Sequence, residues 1–341
     1  MLNFESDYVN GAHEEILKKF IETNDETSST YGADKWSTLA KEKILKVIGK
    51  RFAKVDFLVG GTQTNETVIS TVLKDYEGVI AADTGHINVH EAGAIEWTGS
   101  KVLTIKNSNG KINPDDLRQY LEKFYSDPNF EYMVFPGMVY ISYPTEYGTL
   151  YTKKELKEIY SICNKYKMTF FIDGARLGYG LMSKEADIDI KNLARLCDVF
   201  YIGGTKVGAL CGEAVVWTKN NQPKNFITSM KKRGTVLAKS RTIGIQFDTL
   251  FTNNLYFEIS KHAIDMAEKM KKIFEEKGYK FYIDSPTNQQ FFIMDTKKAN
   301  ELKKKVKFSV FENYDKDHVI ARFVTSWATK EEDVDKLAKI L

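Results

Sequence analysis

This chain of 341 residues has few cysteines, and it lacks long apolar runs and a strong net charge. The three cysteines, Cys163, Cys197 and Cys211, are an odd number without a C-x-x-C pair, which predicts reduced thiols in a cytoplasmic protein rather than a disulfide framework. Cys163 and Cys197 lie in stretches with helical spacing. No apolar run approaches the roughly 18 residues of a membrane span, and the first seven residues lack the basic flank and apolar core of a signal peptide.

The charge distribution is balanced as well. The formal net charge is +3, although 28% of the residues are charged, and the lysines are scattered along the chain. No nucleic-acid or membrane partner is therefore expected. A hydrophobic fraction of 43%, with 13% aromatic residues, predicts a sizeable packed core, and the length allows more than one domain.

Two apolar runs in the middle of the chain are each followed by an ionisable side chain that could take part in catalysis. The first run begins at Thr169 and stops at Asp173, and Arg176 follows three residues later. The second begins at Val199, breaks at paired glycines and puts Lys206 on a tight turn. In an open α/β sheet, ligands bind beyond the carboxyl ends of the strands. Asp173 and Lys206 are both expected at that edge.

The residue types at these two strand ends suit one kind of chemistry. Flanking glycines leave Lys206 accessible, and desolvation can lower the pKa of its amine enough for a Schiff base to form. An aspartate at the neighbouring strand end could hold a protonated pyridine nitrogen, which makes the ring an electron sink. The alternative is that Asp173 caps the next helix and Lys206 is a solvated turn residue.

A glycine-rich turn follows the predicted strand at 55–59. Gly60, Gly61 and Thr62 come directly after this strand, and a helix is predicted at 66–74. Glycines before a helix allow close approach of a ligand, and free N–H groups at a helix start favour an anion such as phosphate. The turn has neither a Walker lysine nor dinucleotide-binding spacing, so an unliganded turn remains the alternative.

Two of the five histidines, His86 and His90, follow a predicted strand at 79–83. Their spacing of four residues is compatible with zinc, but neither a third ligand nor the H-E-x-x-H order accompanies them, so no metal site is expected. A histidine directly after a strand, as His86 is, suits stacking over a flat cofactor ring. A structural, hydrogen-bonded histidine would give the same pattern.

Glu146 adds a fourth ionisable group to the same predicted edge of the sheet. It follows a strand-like stretch at 133–142 and is therefore expected near His86, Asp173 and Lys206. Such convergence of ionisable groups is typical of an active site. Ion pairs between surface loops would produce the same arrangement in the sequence.

The chain changes character at about residue 280. Strands at 291–294, 307–314 and 319–325, interleaved with helices at 296–305 and 330–341, predict a small α+β domain. Within the last strand Arg322 has apolar neighbours, and a half-buried arginine usually binds a carboxylate, either of a substrate or of an internal glutamate. We expect an N-terminal arm at 1–15, a large domain at 16–245, and a linking helix with the small domain at 246–341.

The order of these motifs resembles the pyridoxal-phosphate enzymes of the aspartate-aminotransferase fold, and more narrowly the L-threonine aldolase and aromatic β-eliminating lyase family. The resemblance covers nearly the whole chain, and I-D-G-A-R followed by T-K is its specific part. It implies fold type I, an α/β architecture with a mostly parallel central sheet in a large domain. The motifs that carry it are Ser6-Asp7, Tyr31-Gly32-Ala33-Asp34, Gly60-Gly61-Thr62, His86-Ile87 with Glu91, Asp173-Gly174-Ala175-Arg176, Thr205-Lys206 and Arg322 through Thr325.

The resemblance also implies an activity, a cofactor and residue roles. The activity is that of an aldehyde-lyase, which splits L-threonine or L-allo-threonine into glycine and an aldehyde, and the cofactor is pyridoxal 5'-phosphate. Lys206 would carry the cofactor, Asp173 would bind its pyridine nitrogen and His86 would stack on its ring. Further cofactor contacts are implied for Gly61, Thr62, Arg176, Thr205 and either Lys239 or Arg241, and substrate contacts for Ser6, Tyr31, Arg176 and Arg322.

The chain departs from the family at two positions that matter for proton transfer. Members often carry a histidine where this chain has Thr145-Glu146, and another where it has Ser326-Trp327. The base for the substrate hydroxyl is therefore open among His86, Glu146, His90 and a phosphate-bound water.

Other activities and the assembly state also remain open. A β-eliminating lyase, an aminotransferase or a catalytically idle protein of this fold would share the cofactor residues. Because similar families place the site between subunits, a homodimer or homotetramer is expected.

Overall fold

The computed structural model describes all 341 residues. None of its helices combines the length and the apolarity needed to cross a membrane. The helices are α1 (Glu14–Glu22), α2 (Lys35–Ile48), α3 (Gly61–Val72), α4 (His86–Val89), α5 (Ala94–Trp97), α6 (Pro114–Ser126), α7 (Lys153–Tyr166), α8 (Leu177–Met182), α9 (Ile190–Leu193), α10 (Phe226–Lys232), α11 (Arg241–Leu250), α12 (Leu255–Glu276), α13 (Thr296–Leu302) and α14 (Glu331–Ile340). The strands are β1 (Leu2–Asn3), β2 (Lys54–Leu58), β3 (Glu77–Ala82), β4 (Lys101–Ile105), β5 (Phe135–Ser142), β6 (Thr169–Asp173), β7 (Val199–Gly203), β8 (Glu213–Trp217), β9 (Lys280–Ile283), β10 (Gln289–Asp295), β11 (Val306–Lys307), β12 (Ser309–Asn313) and β13 (His318–Val324).

A seven-stranded sheet organises the larger part of the molecule. Its strand order is β2-β8-β7-β6-β5-β3-β4. Neighbours from β7 through β4 run parallel, whereas β8 is antiparallel to both β7 and β2. The carboxyl ends of β3, β5, β6 and β7 therefore meet at one edge, where strand exits can bring ligand-binding side chains together. The predicted α/β fold with a mostly parallel sheet is confirmed.

The apolar runs of the central strands are buried because helices cover both faces of the sheet. In β6, Phe170 and Ile172 belong to the hydrophobic cluster on one face, and Phe171 belongs to the cluster on the other. This alternation follows the two-residue period of a strand. Nearly continuous hydrophobic runs are what a parallel sheet buried on both faces requires.

A second, antiparallel sheet lies in the C-terminal part, with the order β12-β13-β10-β9. Its core centres on Phe292, whose ring stacks on Phe274 with 3.8 Å between the ring centroids. The N-terminal residues reach this region, because β1 pairs in parallel with β11. The division into 1–15, 16–245 and 246–341 stays a prediction.

Several local predictions differ from the structure. The short strand β1 in the N-terminal arm was not predicted, and neither was the edge strand β9, whose residues are exposed or half-buried. Helix α3 begins at Gly61, five residues earlier than predicted, because two of the polar residues after this glycine, Thr64 and Asn65, are buried in the helix rather than exposed in a loop. Cys197 lies between α9 and β7 and not in a helix. Its spacing from the buried Leu193 and Ala194 imitates a helical period, although the chain there forms turns.

Candidate active site

A cavity of about 310 Å³ opens at the carboxyl edge of the large sheet. It collects side chains from the exits of β3, β5, β6 and β7 and from the start of α3, as the parallel topology dictates. Eight of the residues singled out from the sequence line it: Gly61, Thr62, His86, Glu146, Asp173, Arg176, Thr205 and Lys206.

Asp173 is the last residue of β6, and it is held there by several hydrogen-bond donors. Its Oδ2 accepts hydrogen bonds from the hydroxyl of Tyr140 (2.6 Å) and the amide of Asn65 (3.0 Å), and its Oδ1 accepts one from the N–H of Ala175 (2.9 Å). Burial opposes ionisation, but the neighbouring charge of His86 and the hydrogen bonds outweigh it, so the pKa of Asp173 lies below its usual value. The side chain does not cap α8, whose N-cap is Arg176.

Lys206 lies on a turn that the surrounding structure holds in place. The carbonyl of Lys206 accepts a hydrogen bond from the hydroxyl of Tyr179 (2.6 Å), and the N–H of Val207 donates to the carbonyl of Gly204 (2.9 Å). The ammonium group lies 5.8 Å from the ring centroid of Tyr8. Burial and the positive charge of Arg176 lower the pKa of Lys206. A lysine with these surroundings is not a solvated turn residue.

The start of α3 supplies an anion-binding element to the same cavity. The N-cap residue, Gly60, offers no side-chain cap, so the first N–H groups of the helix remain available to a ligand. A Cβ atom at Gly61 would lie 3.3 Å from the hydroxyl of Tyr201, which leaves little room for a side chain there. Thr62 adds a hydroxyl to the cavity wall.

His86 belongs to a hydrogen-bonded chain that ends at Asp173. Its Nδ1 lies 2.7 Å from Oε1 of the buried Glu91. The amide of Asn65 donates hydrogen bonds to both Glu91 (2.8 Å) and Asp173 (3.0 Å). One side-chain amide therefore fixes the positions of two carboxylates and, through Glu91, of the imidazole.

Glu146 is anchored through only one of its carboxylate oxygens. Its Oε1 accepts hydrogen bonds from the N–H of His86 (3.0 Å) and the hydroxyl of Ser142 (2.5 Å), and Oε2 accepts none from the chain. Burial raises the pKa of Glu146. This side chain lines both the main cavity and a side cavity of about 290 Å³, which is also lined by His90 and Arg322.

The two arginines near the cavity have different partners. Arg176 forms two hydrogen bonds with the buried carboxylate of Asp7, at 2.7 and 3.0 Å. Arg322 donates only to the hydroxyl of Ser309 (3.0 Å) and the amide oxygen of Gln289 (3.3 Å). No internal glutamate pairs with Arg322, and the hydroxyl of the buried Ser6 has no hydrogen-bond partner. A carboxylate could therefore bind Arg322 without displacing another acid.

Besides Ser6, His90 and Arg322, three residues singled out from the sequence lie outside the main cavity of their own chain. Arg241 donates hydrogen bonds to the carbonyls of Thr23 (2.5 Å) and Glu26 (2.6 Å). Arg241 and Lys239 both line a second cavity, separate from the main one. Tyr31 lines another cavity and is 45% exposed. Within one chain these residues do not reach the site.

The structure contains no group of three or more metal-ligating side chains.

Sequence reasoning missed Asn65, Tyr140 and Glu213, all of which are buried at the cavity or hydrogen-bonded to a residue that lines it. Tyr140 is one apolar-looking residue among others in β5, and Asn65 is a polar residue in a helical stretch. Glu213 at the start of β8 carried one usable signal, because it is an acid next to a strand of apolar residues.

The cavity fits pyridoxal phosphate on its own donor set. An amine, an ionised carboxylate and a helix start with free N–H groups match the aldehyde, the pyridine nitrogen and the phosphate of that molecule. The three elements line a single cavity.

Comparison with known proteins agrees with this geometry. The family model described as beta-eliminating lyase matches residues 3–297. A low specificity L-threonine aldolase of Pseudomonas sp. (strain NCIMB 10558) is 28% identical over 98% of this chain and 95% of its own length. The solved structure of a threonine aldolase of Leishmania major is 38% identical, with a TM-score of 0.96 over 100% of this chain and 98% of that one.

The fold extends to more distant proteins. An aspartate aminotransferase of Thermus thermophilus superposes with a TM-score of 0.70 over 100% of this chain and 92% of its own, at 13% identity. The cofactor of this chain is pyridoxal 5'-phosphate. The chain belongs to the beta-eliminating lyase family, within the L-threonine aldolase group of pyridoxal-phosphate-dependent lyases of fold type I.

Proposed function

We propose that this protein cleaves L-threonine, L-allo-threonine and related β-hydroxy-α-amino acids to glycine and an aldehyde, with low specificity for the side chain. The observation that carries the proposal is the single cavity lined by Lys206, Asp173 and Glu146, with the unpaired Arg322 on an adjoining side cavity. The names of the relatives from Pseudomonas and Leishmania major support the same substrate class.

Each end of the cofactor has a counterpart in the proposed site. Pyridoxal phosphate supplies an electron sink for the bonding pair left on Cα. Lys206 would bind its aldehyde group, and the ionised Asp173 would keep a proton on its ring nitrogen. His86 would lie against the ring, held by Glu91. The phosphate would lie at the start of α3, in contact with Gly61, Thr62 and Thr205.

The electrostatics of the proposed site suit these roles. The lowered pKa of Lys206 increases the fraction of neutral amine, which is the nucleophilic form. The lowered pKa of Asp173 keeps this carboxylate negative, so it can stabilise a proton on a facing ring nitrogen. Arg176 contributes to the first effect, because its pairing with Asp7 fixes a positive charge beside Lys206.

Glu146 is the residue that we propose as acceptor of the β-hydroxyl proton. Its Oε1 is anchored, its Oε2 is free, and its raised pKa makes it a stronger base than an exposed glutamate. As the Cα–Cβ bond breaks, the O–H pair becomes the carbonyl bond of the aldehyde and the proton passes to Oε2. The bonding pair stays on Cα, which then takes a proton and leaves as glycine.

Arg322, together with Ser6, is proposed to hold the substrate carboxylate. Replacing Arg322 by glutamine should lower kcat/KM for L-threonine by roughly 10- to 100-fold, since a hydrogen bond to a charged group contributes about 1.5–3 kcal/mol. The loss should appear mainly as a higher KM, measured by steady-state aldehyde release. The exposed Arg195→Gln is the matched control and should behave as the unaltered protein. An unchanged KM in Arg322→Gln would assign the carboxylate to another group.

The assembly and its location complete the proposal. We propose a cytoplasmic homodimer or homotetramer whose sites lie at the interface between subunits. Exposed apolar side chains at Tyr8, Val9, Val89 and Leu210 are consistent with a covered surface near the cavity. Lys239 and Arg241 do not reach the main cavity of their own chain. In such an assembly, either residue would be available to a phosphate in a partner's site.

The activity is tested by incubating the protein with pyridoxal phosphate and L-threonine and identifying the products. Equal amounts of glycine and acetaldehyde are expected. Ammonia and a keto acid instead would indicate β-elimination, and amino-group transfer to an added keto acid would indicate an aminotransferase.

A further inference from the structure

Glu213 is a buried acid at the cavity that the proposed reaction does not use. It is the first residue of β8, is 3% exposed and lines the cavity with Lys206. Its Oε1 accepts a hydrogen bond from the hydroxyl of Thr205 (2.7 Å), and its Oε2 accepts one from the N–H of Gly204 (3.1 Å). No ion pair contacts either oxygen, so this carboxyl is held by neutral donors alone.

Both donors belong to the residues directly before Lys206. The same turn is tied to Gly212, whose N–H donates to the hydroxyl of Thr205 (3.1 Å) and whose carbonyl accepts from the N–H of Thr205 (3.2 Å). At Gly204 a Cβ atom would lie 2.7 Å from the Gly212 carbonyl oxygen, so the turn also packs tightly. The carboxyl of Glu213 therefore anchors the segment that directs the Lys206 side chain.

We propose that Glu213 is a positioning residue for Lys206. Glu213 fixes the turn that carries the lysine, and the ionisation of Glu213 controls how firmly the Lys206 nitrogen keeps its proton. The inference rests on the proposed role of Lys206 as the residue that carries the cofactor. It adds a second acid to the site, placed on the lysine side of the cavity, whereas Asp173 serves the ring nitrogen.

The charged and titratable groups around Glu213 define the expected pH dependence. They are Lys206, Asp173 at the end of β6, Tyr201 of β7, Tyr256 of α12 and Cys211. Burial raises the pKa of Glu213 to about 8, against the hydrogen bonds from Thr205 and Gly204 and the charge of Lys206. Below that pH the group is neutral. Above it, the new negative charge favours the protonated form of the Lys206 nitrogen.

Glu213→Gln tests the ionisation without removing the contacts. The glutamine oxygen can accept from Gly204 and its amide can donate to the Thr205 hydroxyl, as a protonated glutamate would. With pyridoxal phosphate bound, the visible absorbance should be titrated with alkali in both proteins. The spectra should coincide below pH about 7, and the nitrogen of the variant should lose its proton about one pH unit lower, the small end of a neighbouring-charge effect.

Glu258→Gln, an equal charge change on the exposed face of α12, is the control and should titrate as the unaltered protein. Coincident titrations for Glu213→Gln and the unaltered protein would overturn the inference.

If Glu213→Gln does not fold, the same titration of Thr205→Val tests the inference. Loss of the hydroxyl donor raises the pKa of Glu213, so the neighbouring charge appears at higher pH and the Lys206 nitrogen loses its proton at lower pH; an unmoved midpoint would contradict the inference. Absence of any cofactor band from the unaltered protein would instead refute the role of Lys206 itself.

Discussion

Lys206→Ala should remove the visible absorbance band of the protein-bound cofactor and lower threonine cleavage by more than about 10⁴-fold, beyond the effect of losing one proton-transfer residue. The reason is that alanine offers no amine in the cavity, whereas Asp173, His86 and the helix start remain to bind the cofactor without a covalent bond. Absorbance spectroscopy of the purified variant with added pyridoxal phosphate measures the first effect, and aldehyde release measures the second.

The matched control is Lys298→Ala, because it removes one exposed positive charge from α13, and Lys298 does not line the cavity. It should keep both the band and the activity. A Lys206→Ala protein that folds and still shows the unaltered spectrum and turnover would mean that another amine carries the cofactor.

Glu146→Gln should lower threonine cleavage by about 10³-fold, within the usual range for a general base. Glutamine can still accept the hydrogen bonds from His86 and Ser142, but it cannot take a proton. Exchange of a glycine Cα proton with deuterium should continue, since this reaction involves no β-hydroxyl group. Aldehyde release and the NMR signal of glycine in heavy water separate the two steps.

Two further variants sharpen that result. Glu312→Gln changes an exposed acid at the side cavity and should leave cleavage unaltered. His90→Asn tests the competing base in the same cavity. A large loss of cleavage in His90→Asn, with full activity in Glu146→Gln, would transfer the proton-accepting role from the glutamate to the histidine.

The pH dependence of cleavage follows from the same assignment. The base form of Glu146 is needed, and burial raises its pKa above the ordinary value. Cleavage should therefore be retained above that raised pKa and fall as the pH decreases through it. The fall should begin at a higher pH than an exposed glutamate would produce.

The strand-end residues were predictable because each ends an apolar run. Asp173 ends one buried strand, Lys206 follows the end of a second and Glu146 follows a third, so the parallel topology alone brings them to one edge. The family resemblance then supplied their roles. The polar start of α3 was misjudged because Thr64 and Asn65 look like loop residues in the sequence. Both are buried in the helix, and the amide of Asn65 donates hydrogen bonds to Glu91 and Asp173.

Other features depend on contacts that no spacing reveals. The pairing of Arg176 with Asp7 joins residues 169 positions apart. Of the two arginines near the cavity, Arg322 is therefore the one without an acidic partner. The link from His86 through Glu91 and Asn65 to Asp173 crosses three separate segments. Glu213 reaches the Lys206 turn because β8 runs antiparallel to β7, with Gly203 opposite Glu213. Register and strand direction, not local pattern, determine these contacts.

Reductive trapping of the cofactor tests the assignment of Lys206 most directly. The protein with bound pyridoxal phosphate is treated with borohydride, which makes a lysine–cofactor bond permanent, and is then digested and analysed by mass spectrometry. The expected result is one modified peptide, with the pyridoxyl group on Lys206. A stable modification on a different lysine, or none in a protein that nonetheless cleaves threonine, would contradict the account.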